Sequence, residues 1–84
     1  MSDFSDNKAK RRFEYKVGDL FAFADYRREG KRLFIDYVEA PPELRGTGAA
    51  GKLMEQIVKA AKAEQLEIEP ICSYAVHWLR RHPS

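Results

Sequence analysis

The stretch Pro41-Pro42-Glu43-Leu44-Arg45-Gly46-Thr47-Gly48-Ala49-Ala50-Gly51 decides how the rest of this chain reads, because it joins a run of strand character to a run of helix character through glycine. The two prolines stop either element from continuing. Gly46 and Gly48 let the backbone approach a ligand with no Cβ in the way. The helix that follows turns its free N–H groups and the positive end of its dipole toward whatever sits there. Such a turn suits phosphate or pyrophosphate; a purely structural turn and helix start is the other reading. The segment is neither a P-loop, which needs Gly-Lys-Ser/Thr, nor a dinucleotide fingerprint, which needs a third glycine and a distant acid.

Upstream of this stretch, residues 12–17 alternate, with Phe13, Tyr15 and Val17 on one side, and predict a first strand. Residues 19–27 predict a second strand, Arg28-Glu29-Gly30-Lys31 a tight turn, and residues 32–40 a third strand, together an antiparallel meander. On the second strand Leu20, Ala22 and Ala24 share one face while Phe21 and Phe23 take the other, which predicts cover on both faces of the sheet. Phe34 joins Phe21 and Phe23 as expected core. Downstream, Ala50, Leu53, Met54, Ile57 and Ala61 recur at helical spacing and predict a helix over 46–64. A strand over 66–71 follows, with Pro70 near an edge or strand end, and then a helix over 73–81 with Ser73 as a candidate N-cap and Ala75, Trp78 and Leu79 facing the core. The expected fold class is α/β (α+β): a β-meander, then a parallel βαβ unit, then a short C-terminal helix. A right-handed crossover puts the glycine turn at the carboxyl ends of the two parallel strands, where α/β sheets bind ligands.

Eighty-four residues suit one domain with a small core, leaving any substrate site shallow or shared. The expected organisation is a flexible arm over 1–10, carrying Lys8 and Lys10, and a folded domain over 11–84. At 44% hydrophobic and 33% charged, the composition is that of a globular protein. A formal charge of +2 is too mild to argue for nucleic acid, so the basic cluster Lys8, Lys10, Arg11 and Arg12 reads as a solvated arm. The lone Cys72 excludes an internal disulfide, and no apolar run is long enough for a membrane span, so a cytoplasmic location without a membrane partner is expected. With no coiled-coil period, no interface stripe and so mild a charge, a monomer without a nucleic-acid partner is expected. His77 and His82 have no Cys or carboxylate at ligand spacing, and no metal site is expected.

Residues 45–50, Arg-Gly-Thr-Gly-Ala-Ala, fit the Arg/Gln-x-x-Gly-x-Gly/Ala motif of the GNAT-type N-acetyltransferases. From Phe13 to Pro83 the chain more closely resembles a very small, single-domain GNAT-like subfamily. The residues that carry this are Tyr26-Arg27-Arg28, Ala40-Pro41-Pro42-Glu43-Leu44-Arg45-Gly46-Thr47-Gly48, Pro70-Ile71-Cys72-Ser73-Tyr74 and Arg80-Arg81-His82-Pro83. The resemblance implies acetyl-coenzyme A as cofactor and an amine, on a protein or a small molecule, as acceptor. It implies that Arg45, Gly46, Thr47, Gly48, Ala49 and Ala50 hold the pyrophosphate, that the backbone of Val38, Glu39 and Ala40 pairs with the pantetheine arm, and that Cys72 lies near the thioester. It also implies that the two parallel strands splay at their carboxyl ends. One departure stands out: relatives commonly carry His-Thr where this chain has Tyr37-Val38.

Two routes for the acetyl group follow. Cys72, just ahead of the last helix, is a candidate acyl-accepting nucleophile, because helix N-termini favour thiolates; its bland counterpart is a buried small hydrophobe. In direct transfer the amine attacks the thioester and a carboxylate takes its proton, with Glu39, and behind it Asp36, as candidate bases. Tyr74 could protonate the departing thiolate, pack on the cofactor, or be an ordinary aromatic of the first helical turn. A coenzyme A-binding module without catalysis, or a small nucleotide or nucleic-acid binder using the basic arm, are the competing functions.

Overall fold

The computed structural model describes residues 3–82. Its chain order is β1 (Phe4–Asn7), β2 (Arg12–Val17), β3 (Leu20–Glu29), β4 (Arg32–Glu39), a 3-10 turn (Pro42–Leu44), α1 (Ala49–Ala63), β5 (Glu67–Pro70) and α2 (Ser73–Arg81). The strands form one sheet in chain order, antiparallel through β4, with β5 parallel to β4. Meander, βαβ unit and terminal helix are therefore as expected, and β5 is an edge strand that ends on Pro70.

The expected flexible arm is in large part a strand. Phe4 to Asn7 pairs antiparallel with Tyr15 to Arg12. Side chains add to this backbone ladder: Phe4 stacks on Phe13 with centroids 5.5 Å apart, and Asp6 accepts hydrogen bonds from the Tyr26 hydroxyl and from Arg28. Lys8, Lys10 and Arg11 form the turn into β2, and Arg11 closes it at φ 53. Met1 and Ser2 of the arm, and Pro83 of the Arg-Arg-His-Pro end, lie outside the described residues.

The core lies on one face of the sheet. Phe13, Ala22, Ala24, Tyr26, Leu33 and Ile35 meet Leu53, Met54, Ile57 and Ala61 of α1, and Ala75 of α2 joins them. Small alanines on β3 let the helix come close, while the larger β4 and α1 side chains fill the space. Trp78 reaches across to α1, its Nε1 3.4 Å from where a Cβ on Gly51 would stand, and Leu79 packs against the same core. Ser73 is the first residue of α2, not its cap; the capping position belongs to Cys72.

The opposite face has no second apolar layer, contrary to the sequence reading. Phe21 is 45% exposed, and arginines cover its neighbours: the Arg12 guanidinium lies 4.0 Å from the Phe23 centroid and that of Arg27 4.6 Å from Phe34. Each of these arginines is also paired, Arg12 with Asp25 and Arg27 with Asp36. Cation–π contact and the long arginine stems thus do the work expected of a packed layer. Alternating apolar residues alone could not distinguish the two.

Two outcomes test this account. Ile57→Ala, emptying a fully buried site at the centre of α1, should cost about 2–5 kcal/mol in denaturant unfolding. Arg28 bridges Asp6 on β1 and Glu64 at the end of α1, and its hydrogen bond and charge hold the Glu64 carboxyl below its ordinary 4.5. A carboxyl depressed in the folded state stabilises the fold above its unfolded pKa, and that contribution is lost as pH falls from 4.5 through the lower folded value. Arg28→Ala should therefore lose more stability at neutral than at acid pH, flattening the acid limb in denaturant melts.

Candidate functional site

The sheet opens where β4 leaves β5. Their last paired residues are Ile35 and Pro70; the Ile35 carbonyl then accepts both the Ile71 and Cys72 N–H groups, at 2.9 and 3.0 Å, and pairing stops. The causes lie on both strands. On β4, Tyr26 of β3 opposes Ile35 and Asp25 opposes Tyr37, so Asp36 is an extra residue and bends the strand. Arg27 grips the Asp36 carboxylate through Nε at 2.8 Å and Nη2 at 3.1 Å. On β5, Pro70 brings no N–H to a ladder, and the chain turns into α2 within three residues.

A cleft of about 460 Å³ occupies the opening. The end of β4 supplies Val38, Glu39 and Ala40, the glycine turn and helix start supply Arg45, Gly46, Gly48, Ala49 and Ala50, and α2 supplies Tyr74. Of the site residues read from the sequence, Thr47, Cys72 and the second candidate base Asp36 are not in its wall, Asp36 being held by Arg27. Leu44 and Gly51 are, and were missed; Gly51, one helical turn from Gly48, was legible as a third small residue on that face.

The glycine turn is organised from within. Pro42 starts a 3-10 turn that buries Leu44 as a plug, and the chain then runs through Gly46 at φ 81 and Gly48 at φ 83, the N-cap of α1. A Cβ on either glycine would meet no protein atom within 4 Å, so the left-handed backbone, not crowding, requires glycine. Those two positive-φ residues also explain why α1 begins at Ala49 instead of the expected Gly46. Thr47 braces the turn, its hydroxyl donating to the Leu44 carbonyl and accepting from the Ala49 N–H at 3.3 Å. The N–H groups of Gly46, Gly48, Ala50 and Gly51 have no acceptor among the described residues. All four residues line the cleft, which thus gathers unspent donors beside a helix N-terminus.

Arg45 adds a charge whose side chain is 67% exposed, its nearest acid being Glu39 at 3.7 Å. The other Glu39 oxygen accepts from the Tyr37 hydroxyl at 2.6 Å. That hydrogen bond, then desolvation and the carboxylate charge, raises the Tyr37 phenol; Cys72 is near enough to add to the shift. The Tyr37–Glu39 link was available to sequence reasoning, since residues two apart on a strand share a face. Burial raises the Tyr74 phenol, against a smaller pull from Arg81. Cys72 is a free, half-buried thiol at the N-cap of α2, packed against the core. Among the described residues no group of His, Cys, Asp and Glu could hold a metal, and no helix is long and apolar enough to cross a membrane.

Comparison with known proteins agrees with this architecture. The sequence model of the GCN5-related N-acetyl-transferases matches residues 12–84. The fold is similar to the NMR solution structure of a GCN5-like candidate N-acetyltransferase from Staphylococcus aureus, with TM-score 0.71 and 28% identity, over 96% of this chain and 82% of that one. No curated protein matches the chain. On its sequence from β2 onward and on its fold, this chain belongs to the family of GCN5-related N-acetyltransferases.

Proposed function

We propose that the chain is an acetyl-coenzyme A-dependent N-acetyltransferase that binds its co-substrate in the cleft between β4 and β5 and passes the acetyl group to an amine. The observation that carries this is the set of unspent N–H groups on Gly46, Gly48, Ala50 and Gly51 beside Arg45. A pyrophosphate offers several charged acceptors to such donors, and short charge-assisted hydrogen bonds to them are strong. The unpaired edge of β4 past Ile35 offers further backbone groups to the amide-bearing pantetheine arm. Donors, shape and edge all fit coenzyme A.

Bound acetyl-coenzyme A would supply the acetyl thioester. Glu39 is the residue we assign to remove the proton of the attacking amine, because it stands in the cleft wall with its carboxylate positioned by Tyr37. Tyr74, also in the wall, is assigned to meet the departing sulfur. Cys72 is the alternative first acceptor of the acetyl group; its place outside the cleft wall favours direct transfer. The acceptor side is open, since β2 passes into β3 at the cleft end of the sheet through a mere turn after Val17, and an exposed amine on a protein or polyamine fits it.

Two measurements decide. In calorimetry, coenzyme A should bind, and Arg45→Ala should weaken it about five- to tenfold, with no loss for pantetheine, which lacks the phosphates. Failure of the wild-type chain to bind coenzyme A would overturn the reading. With acetyl-coenzyme A and spermidine as a probe amine, Glu39→Gln should slow thiol release about 100-fold or more while leaving coenzyme A affinity intact. Binding without thiol release across primary amines would instead support a non-catalytic coenzyme A module. Intact mass after incubation separates the routes: a hydroxylamine-labile acetyl adduct that vanishes in Cys72→Ala would transfer the first step to the thiol.

A further inference from the structure

The candidate site has parts on both faces of the sheet. The helix start with its unspent N–H groups belongs to α1, which packs on the core face. Glu39 is opposite Phe23 in register, and Tyr37, two residues before it, donates to its carboxylate and holds its ring 6.4 Å from that of Phe23, so both side chains stand on the outer face. The opening between β4 and β5 joins the two.

On that outer face the chain repeats one arrangement. A phenylalanine ring lies under an arginine whose guanidinium pairs with a carboxylate two residues further along the same strand: Phe23 with Arg12 and Asp25, Phe34 with Arg27 and Asp36. The third outer phenylalanine breaks the pattern. Phe21 shares the face of Phe23, is 45% exposed, does not pack against the core, and carries no cation or second ring among the described residues. A carboxylate is nonetheless beside it, because Phe21 is the diagonal cross-strand neighbour of Glu39, a separation of about 7–8 Å at the backbone. Ring and carboxylate are in place, and the cation is the part the strands do not supply.

We propose that the acceptor is a lysine side chain of a polypeptide, lying over Phe21 with its methylenes on the ring and its ammonium at Glu39. The proposal rests on the reading of the cleft as an acetyl-coenzyme A site, the acceptor entering from the outer face and the co-substrate from the side of α1. Charge favours a lysine over a polyamine. Lys16 stands opposite Phe21 on the same face, its side chain without an ion-pair or hydrogen-bond partner among the described residues, so the seat suits one ammonium and opposes a second beside it. There the ammonium passes one proton to Glu39, and its nitrogen forms the amide bond with the thioester carbonyl carbon. The carbon–sulfur bond breaks, and the second proton lost from nitrogen goes to the departing sulfur.

The experiment uses Nα-acetyl-lysine amide as probe and Nα-acetyl-norleucine amide, which has the stem without the ammonium, as its control. Titrated into the coenzyme A complex, the lysine probe should shift the ring resonances of Phe21 in NMR spectra, and the norleucine probe should not. In thiol-release assays Phe21→Leu should raise KM for the lysine probe about three- to tenfold, as loss of one cation–π contact and its stem cover would give, with kcat and coenzyme A affinity unchanged. Phe21→Tyr should restore KM. Spermidine should show the higher KM, falling in Lys16→Ala. Unshifted Phe21 resonances, or a KM that Phe21→Leu leaves alone, would overturn the seat while the co-substrate cleft stands; a spermidine KM below that of the lysine probe would overturn the lysine assignment. Failure to bind coenzyme A, or binding without thiol release, would overturn the reading of the cleft, and this proposal with it.

Discussion

The structure depends on one carbonyl. The Ile35 oxygen takes two N–H groups, from Ile71 and Cys72, and so ends the parallel ladder that α1 exists to close. Had the ladder continued, residues 36–40 would have been satisfied on both edges and the sheet would have no opening. The bulge at Asp36 and the missing N–H of Pro70 work from opposite strands toward the same result, so neither strand alone could restore pairing. Backbone groups left open in this way are unfavourable unless water or a ligand meets them. Such an arrangement keeps a place for a ligand that can add a strand's worth of hydrogen bonds.

A core this small leaves little surplus to tolerate the opening. Its apolar contacts are confined to one face of the sheet, and the other face is held by arginines stacked on aromatic rings and fixed by Asp25 and Asp36. The Asp36 pair has two consequences. It covers Phe34 through Arg27, and it anchors the one residue of β4 that has no opposite number. The packing of the outer face and the parting of the strands are thus coupled through a single carboxylate.

The elements with strong periodicity were legible: β2, β4 and α2 lie within a residue of where the sequence puts them, and α1 is displaced only at its start. What failed had non-periodic causes. β1 has one large apolar residue, and its ladder is supported by Asp6 meeting Tyr26 and Arg28, partners twenty or more residues away that no local pattern reveals. The outer phenylalanines alternate like core residues, and only the spatial neighbour shows that arginine covers them. At the site, the glycine turn was legible because it needs unusual backbone angles that few residue types permit. The place of Cys72 was not, because whether a thiol at a strand end faces a cleft or a core depends on how the following helix leaves the sheet.

Glu39 is where the two sides of the sheet meet. It lines the cleft on the side of the glycine turn, yet it pairs with Phe23 in register and accepts from Tyr37, whose ring lies against Phe23 on the outer face. Arg45 approaches its second oxygen from the turn. Under the function proposed above, a phosphate arriving at Arg45 competes with that carboxylate for the guanidinium, while the Tyr37 bond stays in place. Co-substrate binding would then free one Glu39 oxygen without letting the side chain swing away. The carboxylate would become available as a proton acceptor once the phosphates of the co-substrate engage Arg45, and Tyr37 would hold it in place there.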